Sequence, residues 1–216
     1  MKYQHVFFDL DGTLIDSKKG IFNSVQYSLN SMHIPFEDRP SDLNPFIGPP
    51  LRDSFMNLFH FSPEIAEEAT TKYREYYSTK GLYEYELYDG IPEALEFLAG
   101  SGLLLSVVTS KAEIYAKLII KSTGLKHLFQ TITGCETDGR RSDKQELILH
   151  SLYKLKLKAS SGSIMVGDRL YDIRGAKEAG ISSCAVLYGY GSRKELIAEK
   201  PDIIIKSPGD LRFIAS

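Results

Sequence analysis

Asp9 and Asp11, two positions apart, stand directly behind the apolar run Val6-Phe7-Phe8 and directly before Gly12-Thr13. Core packing has no use for two acids at that place. Carboxylates so close repel each other and remain ionised together only beside a cation or another strong electrostatic partner. Asp-x-Asp-Gly also occurs in plain turns and resembles the start of a calcium loop, but such a loop continues with oxygen donors and a late glutamate, and Leu14 and Ile15 break that pattern. Further polar groups follow other apolar runs: Thr109 and Ser110 after Leu105–Val108, and Asp168 and Asp172 after Ile164-Met165-Val166. Lys144 opens a helical pattern behind a loop of glycine and arginine. The chemistry that suits such a set is phosphoryl transfer. Carboxylates bind magnesium, a hard cation that prefers oxygen and keeps some of its waters, and a further carboxylate can attack phosphorus. Lys144 would neutralise charge around nucleophile and phosphate, while Thr109 donates a hydrogen bond to a phosphoryl oxygen. The second early acid would protonate the leaving alcohol and activate the hydrolytic water. Each residue has a plainer alternative: Thr109 or Ser110 as a helix cap, Asp172 as a first-turn charge, Lys144 as a surface lysine. Their shared position at the carboxyl ends of strands, where an open parallel sheet binds its ligands, favours a site.

The elements that must hold these groups are read from hydrophobic periodicity. Leu103–Val108, Ser163–Val166, Ser183–Leu187 and Asp202–Ile205 have the composition of strands. Between them, Pro92–Leu98, Ala112–Ser122, Asp143–Leu155 and Asp172–Ala179 read as helices, the last stopping at Gly180. Alternating strands and helices with nearly continuous apolar strands predict an α/β fold, a parallel sheet covered on both faces. From about Ser17 to Tyr85 no central strand is evident. Two stripes appear instead, Ile21, Val25, Leu29 and Met32, then Ile65, Ala69, Tyr73 and Tyr76, with a proline-rich break at Phe46–Leu51 between them. A helical insertion after the first strand accounts for this. The expected division is 1–16 and 87–216 as a Rossmann-like core and 17–86 as a helical cap. The tyrosines from Tyr73 to Tyr88 are assigned mainly to core and rim packing.

With 26 basic and 28 acidic side chains in 216 residues, nothing favours nucleic acid as a non-specific partner. Lys154, Lys156 and Lys158 alternate with leucines and read as a solvated helix end. Val6–Phe8 is too short for a signal-peptide core, and no apolar run is long enough to span a bilayer. Cys135 and Cys184 form neither a disulfide framework nor a metal-ligand spacing, which points to reduced structural thiols and a cytoplasmic protein without a membrane partner.

Taken in order, these motifs resemble those of haloacid dehalogenase-superfamily phosphatases with a helical cap inserted after the first strand, and the chain is similar to bacterial phosphoglycolate phosphatases. Asp9–Leu14 matches the first motif, Leu105–Thr109 the second with Ser110-Lys111 where Asn-Lys is common, Lys144 the third, and Gly167–Asp172 continued by Ala176–Gly180 the fourth. The resemblance implies Asp9 as nucleophile, Asp11 as general acid and base, and magnesium held by the Asp9 side chain, the Asp11 carbonyl and Asp168, with Asp172 in support. It also implies that Gly12 and the backbone near Thr109-Ser110 help to hold the phosphate. An aspartate at position 11 argues against the dehalogenases of the superfamily, whose leaving halide needs no acid. One departure stands out: Arg140-Arg141-Ser142-Asp143-Lys144-Gln145 replaces the usual Gly-Lys-Pro, so Arg140 and Arg141 are alternatives to Lys144. Gly48–Arg52 resembles the recognition loop of the family, which leaves Arg52 either presented to a second anionic group or standing as an exposed arginine at a helix start. The expected activity is hydrolysis of a small phosphate monoester such as phosphoglycolate by a monomer or homodimer. A nucleoside 5'-monophosphate phosphatase, a sugar phosphomutase and a non-catalytic binding module are the competing readings.

Overall fold

The computed structural model describes residues 2–35, 43–48, 51–137 and 140–216. The chain separates into two compact units, Met1–Asp16 with Leu87–Ser216, and Ser17–Glu86. In chain order, β1 (His5–Phe8) and β2 (Ile15–Asp16) precede the helices α1 (Lys18–Ser31), α2 (Leu51–Phe59) and α3 (Pro63–Tyr77). Next come β3 (Glu86–Leu87), α4 (Ile91–Gly100), β4 (Leu104–Ala112), α5 (Glu113–Ser122) and β5 (Phe129–Cys135). The chain then continues through α6 (Lys144–Lys154), β6 (Ser163–Gly167), α7 (Leu170–Glu178), β7 (Ser182–Val186), α8 (Arg193–Ala198) and β8 (Ile203–Ile205).

Six strands of the first unit form one sheet in the order β5-β4-β1-β6-β7-β8, and every pairing is parallel. All residues of β1, β6 and β7 are buried, as strands covered on both faces must be. Phe7, Val108 and Met165 pack with Leu147, Ile148 and Leu152 of α6 in one continuous core, each large side chain contributing about 1.5–3 kcal/mol through its removal from water. The strand order runs outward in both directions from β1. At such a reversal the crossover helices diverge to opposite faces and leave a crevice at the carboxyl end of the central strand. Everything that follows β1, β4 and β6 is therefore delivered to one place.

Three differences from the sequence expectations have physical reasons. β4 does not end before Thr109 but runs on to Ala112, where it pairs with Cys135 after a register irregularity beyond Val108. That break lets the strand continue while its polar residues leave the regular ladder. The sequence reading lacks β5, an edge strand of modest apolarity joined to β4 alone, and the six-residue α8. β5 is secured from its flank by Glu113, whose carboxylate accepts from the Gly134 amide and from Lys117 and Lys154. Burial opposes the charge on Glu113, but those donors outweigh it and pull the carboxyl down to about 2.

In the helical unit the stripe Ile21, Val25 and Leu29 of α1 is buried as expected, whereas α3 buries Ala66, Ala69, Thr70, Tyr73 and Tyr77. Ile65 is 42% exposed. The small residues win because they admit close approach, close enough for the Ser28 hydroxyl of α1 to donate to the Ala69 carbonyl at 2.7 Å. Tyr73 and Tyr77 stack within this unit, centroids 5.3 Å apart, and so belong to packing. Both cysteines are free thiols and Cys184 is buried. Among the described residues no helix is long and apolar enough to cross a membrane.

Candidate active site

β1 ends at Phe8, which lies between Val107 of β4 and Val166 of β6. The Asp9 amide donates to the Val166 carbonyl at 2.9 Å, carrying the sheet one step further and fixing where the Asp9 side chain begins. The chain then turns tightly: the Gly12 amide bonds the Ile15 carbonyl and the Leu14 amide the Leu10 carbonyl. Gly12 has φ +81, and a Cβ there would run into the Asp168 carboxylate. Only glycine satisfies both demands.

Lys144 reaches the same point from the first turn of α6. Asp143 caps that helix by accepting from the Glu146 amide at 3.1 Å, which places Lys144 as the first helical residue. Its ammonium is buried, 3.1 Å from Asp9 Oδ1 and 2.7 Å from Asp172 Oδ1, and it donates to the Val108 carbonyl. Burial alone would lower its basicity; the attraction of Asp172 and Asp9 overrides that and holds it above the usual lysine range. Asp172 Oδ2 accepts from the Arg169 amide at 3.0 Å, securing the start of α7. Asp168, wholly buried, accepts from the Tyr190 amide at 2.7 Å on Oδ2 and from the Thr13 hydroxyl at 3.4 Å on Oδ1.

Oxygens of Asp9, Asp168 and Asp172 lie within 4.8 Å of one another. The charge count does not close: three carboxylates face the one ammonium of Lys144, leaving an excess of two negative charges. The strain is visible in the acids. Burial, then Asp172 and Asp9, push the Asp168 carboxyl well above its ordinary range, against the pull of the Tyr190 amide and Arg169. Burial pushes Asp9 up to about 6 despite Lys144, with Asp172 and Asp11 adding to the rise. A divalent cation with a taste for hard oxygen removes that excess, so the donor set fits magnesium.

Asp11 stands on the rim, its Oδ2 2.9 Å from the Lys111 ammonium and its buried Oδ1 without a hydrogen-bond partner among the described residues. Thr109 is buried; its hydroxyl oxygen accepts from the Lys111 amide at 3.2 Å, and its own proton has no acceptor among the described residues. Ser110 instead donates to the Ser142 carbonyl at 3.1 Å. Arg140 and Arg141 both pair with Glu136, at 2.6 and 2.8 Å, so it is Lys144 that lies among the acids. Arg52, on the helical unit, has its guanidinium 3.9 Å from Glu67 and about half its side chain in solvent. Pro49 and Pro50 of its loop lie outside the described residues.

Sequence reasoning gave no role to Lys111, Thr13 or Tyr190. Lys111 had a signal: it stands two positions beyond Thr109, and if the strand continues, the two share a face. Tyr190 follows a strand end, as the acids do, but a tyrosine between glycines reads as loop, and its contact with Asp168 is made by its backbone.

The chain matches the family described as haloacid dehalogenase-like hydrolase over residues 6–186. It is 43% identical to a 5'-nucleotidase of Pseudomonas aeruginosa over 93% of this chain and 90% of that one. A tyrosine-protein kinase PtkA of Mycobacterium tuberculosis is 40% identical over 87% of this chain, but only 63% of that protein is spanned. The crystal structure described as a predicted phosphatase from Clostridium acetobutylicum superposes with a TM-score of 0.89 at 40% identity, covering 99% of this chain and 98% of that one.

Proposed function

The chain belongs to the haloacid dehalogenase-like hydrolases and is a phosphatase; on that premise we propose that it hydrolyses a small phosphate monoester through a phosphoaspartate on Asp9, with magnesium as its cofactor. The observation that carries this reading is the uncompensated acid cluster, three carboxylates around one buried ammonium at the carboxyl end of the central strand. Asp9, Asp168 and Asp172, together with the Asp11 carbonyl, would hold the ion. When bound, it supplies charge neutralisation that draws in the anionic phosphate.

The protein's own groups then divide the work. An oxygen of Asp9 forms a bond to phosphorus as the ester P–O bond breaks, and Asp11 gives its proton to the departing alkoxide. In the second half Asp11 takes a proton from water as the water attacks phosphorus, which releases orthophosphate and restores the Asp9 carboxylate. Lys144 holds Asp9 in place and balances the gathering negative charge. Thr109 offers its uncommitted hydroxyl proton to a phosphoryl oxygen, with Gly12 and Ser110 at the phosphate's flank. Lys111 holds the Asp11 side chain by its ion pair.

The role of Asp11 is tested by its leaving group. In Asp11→Ala the rate of phosphoenzyme formation from an alkyl phosphate should fall by about 10²–10⁴, the usual worth of a positioned acid. The loss with p-nitrophenyl phosphate, whose phenolate leaves unaided, should be much smaller. Equal losses in rapid-quench experiments with both esters remove the general acid from the scheme.

For the substrate, the 43% identical relative named 5'-nucleotidase supports a nucleoside 5'-monophosphate over phosphoglycolate or a sugar phosphate. The half-exposed Arg52, with Glu67 at 3.9 Å, is consistent with that preference. On the nucleotide reading, Arg52→Ala lowers kcat/KM for phosphoglycolate and for p-nitrophenyl phosphate alike, by less than about fivefold, the scale of an exposed ion pair. A selective ten- to hundredfold loss with phosphoglycolate, about 1.5–3 kcal/mol for a charge-assisted bond, would return the choice to a carboxylate-bearing substrate.

A further inference from the structure

The segment Tyr188-Gly189-Tyr190-Gly191, which follows β7, takes no part in the scheme above yet touches its centre. The Tyr190 amide donates to Asp168 Oδ2 at 2.7 Å, while the phenol of the same residue donates to Asp16 Oδ1 at 2.9 Å. The Tyr188 phenol donates to the Thr13 carbonyl at 3.1 Å, and its ring meets Tyr88 edge-on with centroids 5.1 Å apart. Between the two tyrosines, a Cβ on Gly189 would collide with the Asp168 side chain and the Gly12 carbonyl, and one on Gly191 with the Asp168 backbone. The segment is thus a strap pressed against one metal-binding acid and tied at two points to the loop behind Asp9 and Asp11.

We propose that this strap positions the cation site, with Tyr190 as a positioning residue that aims Asp168. The inference rests on the divalent-ion reading given above. A carboxylate turns almost freely about its last torsion. A charge-assisted N–H bond on one oxygen fixes the plane and leaves the other oxygen in a set direction. That amide can hold Asp168 only if it is itself held. Its anchors are the phenol on Asp16, and the tight glycines that leave the strap no other path. Ordering Asp168 in advance removes a cost that ion binding would otherwise carry, the usual effect of outer groups on metal ligands.

The test measures Mn2+ binding by electron paramagnetic resonance in the parent, Tyr190→Phe, Asp16→Ala and the double variant, with Asp168→Asn alongside. Each single variant should weaken binding about five- to tenfold, below the ten- to hundredfold worth of a hydrogen bond to a charged group, because the tether acts on Asp168 only through the Tyr190 amide. The double variant should bind no worse than the weaker single one, since both remove the same tether. In steady-state assays the magnesium concentration for half-maximal rate should rise by the same factor, and saturating magnesium should restore kcat to within about twofold. A merely structural tether would not give that repair. Unchanged affinity in both single variants, additive losses in the double, or a kcat deficit that magnesium does not repair overturns the proposal. If Tyr190→Phe loses its circular dichroism spectrum, Asp16→Ala alone makes the same comparison. Failure of the underlying reading looks different: the parent binds no ion, or Asp168→Asn binds as the parent does, and either result removes the strap's role with it.

Discussion

Asp9→Asn should abolish turnover, by at least about a thousandfold, while leaving a folded protein that is no less heat-stable than the parent in the absence of metal. The amide copies the shape of the carboxylate but is a far weaker nucleophile, and it withdraws one hard ligand from the ion. Losing a covalent route costs several kcal/mol of barrier, and each ~1.4 kcal/mol is tenfold in rate. The stability half follows from the sign of the shift at Asp9. Its carboxyl is raised from 3.8 to about 6, so the fold favours the protonated form. The stabilisation that protonation brings is present below the unfolded value and disappears as pH rises through about 6. At pH 7.5 the parent therefore bears a buried charge that works against it, by one to a few kcal/mol at ~1.4 kcal/mol per unit. Asparagine removes that charge. Single-turnover assays with thermal unfolding in chelator check both halves: activity within tenfold of the parent rules out Asp9 as nucleophile, and a markedly lower melting temperature rules out the electrostatic reading.

Lys144→Met should act in the opposite direction on stability. It removes the single ammonium between Asp9 and Asp172 and leaves two buried carboxylates without their counter-charge. Truncating one partner of a buried pair typically costs about 3–5 kcal/mol, which in a chain of this size is a fall in melting temperature of roughly 6–20 °C. Turnover should drop with it, since Asp9 loses its contact with Lys144. Magnesium should return part of the lost stability, because a cation bound by the folded form alone stabilises it by mass action. A metal-free Lys144→Met protein that melts within about 2 °C of the parent would mean that the acids are balanced in some other way.

The two variants bracket how much of this protein was legible in its sequence. The α/β architecture was legible because the apolar residues of β1, β6 and β7 stand in short runs separated by helical patterns. Asp9, Lys144, Asp168 and Asp172 were legible as a group because each follows a strand or opens a helix on the same edge of that sheet. What escaped is what periodicity does not encode. β5 is an edge strand whose place depends on Glu113 and on its pairing with β4. Lys111 was hidden because β4 outlasts its apolar run. In α3 the inward face is chosen by the small side chains of Ala66, Ala69 and Thr70 rather than by the bulk of Ile65. Tyr190 holds Asp168 through its main chain, and a main-chain contact leaves no mark in residue type.

The central place of β1 also has a consequence during synthesis. His5 pairs with Leu104 on one side and with Ser163 on the other. A ribosome adding about 5–20 residues per second needs roughly 8–30 s to travel the 158 residues from His5 to Ser163 (163 − 5). Throughout that interval the strand that leads to Asp9, buried on both faces in the finished fold, has been made without its second neighbour. The nascent chain thus carries an unpaired template for wrong strand pairing, while the helices of Ser17–Glu86, whose contacts are local, can form at once. Dependence on chaperones should therefore centre on β1 and be greatest before β6 emerges.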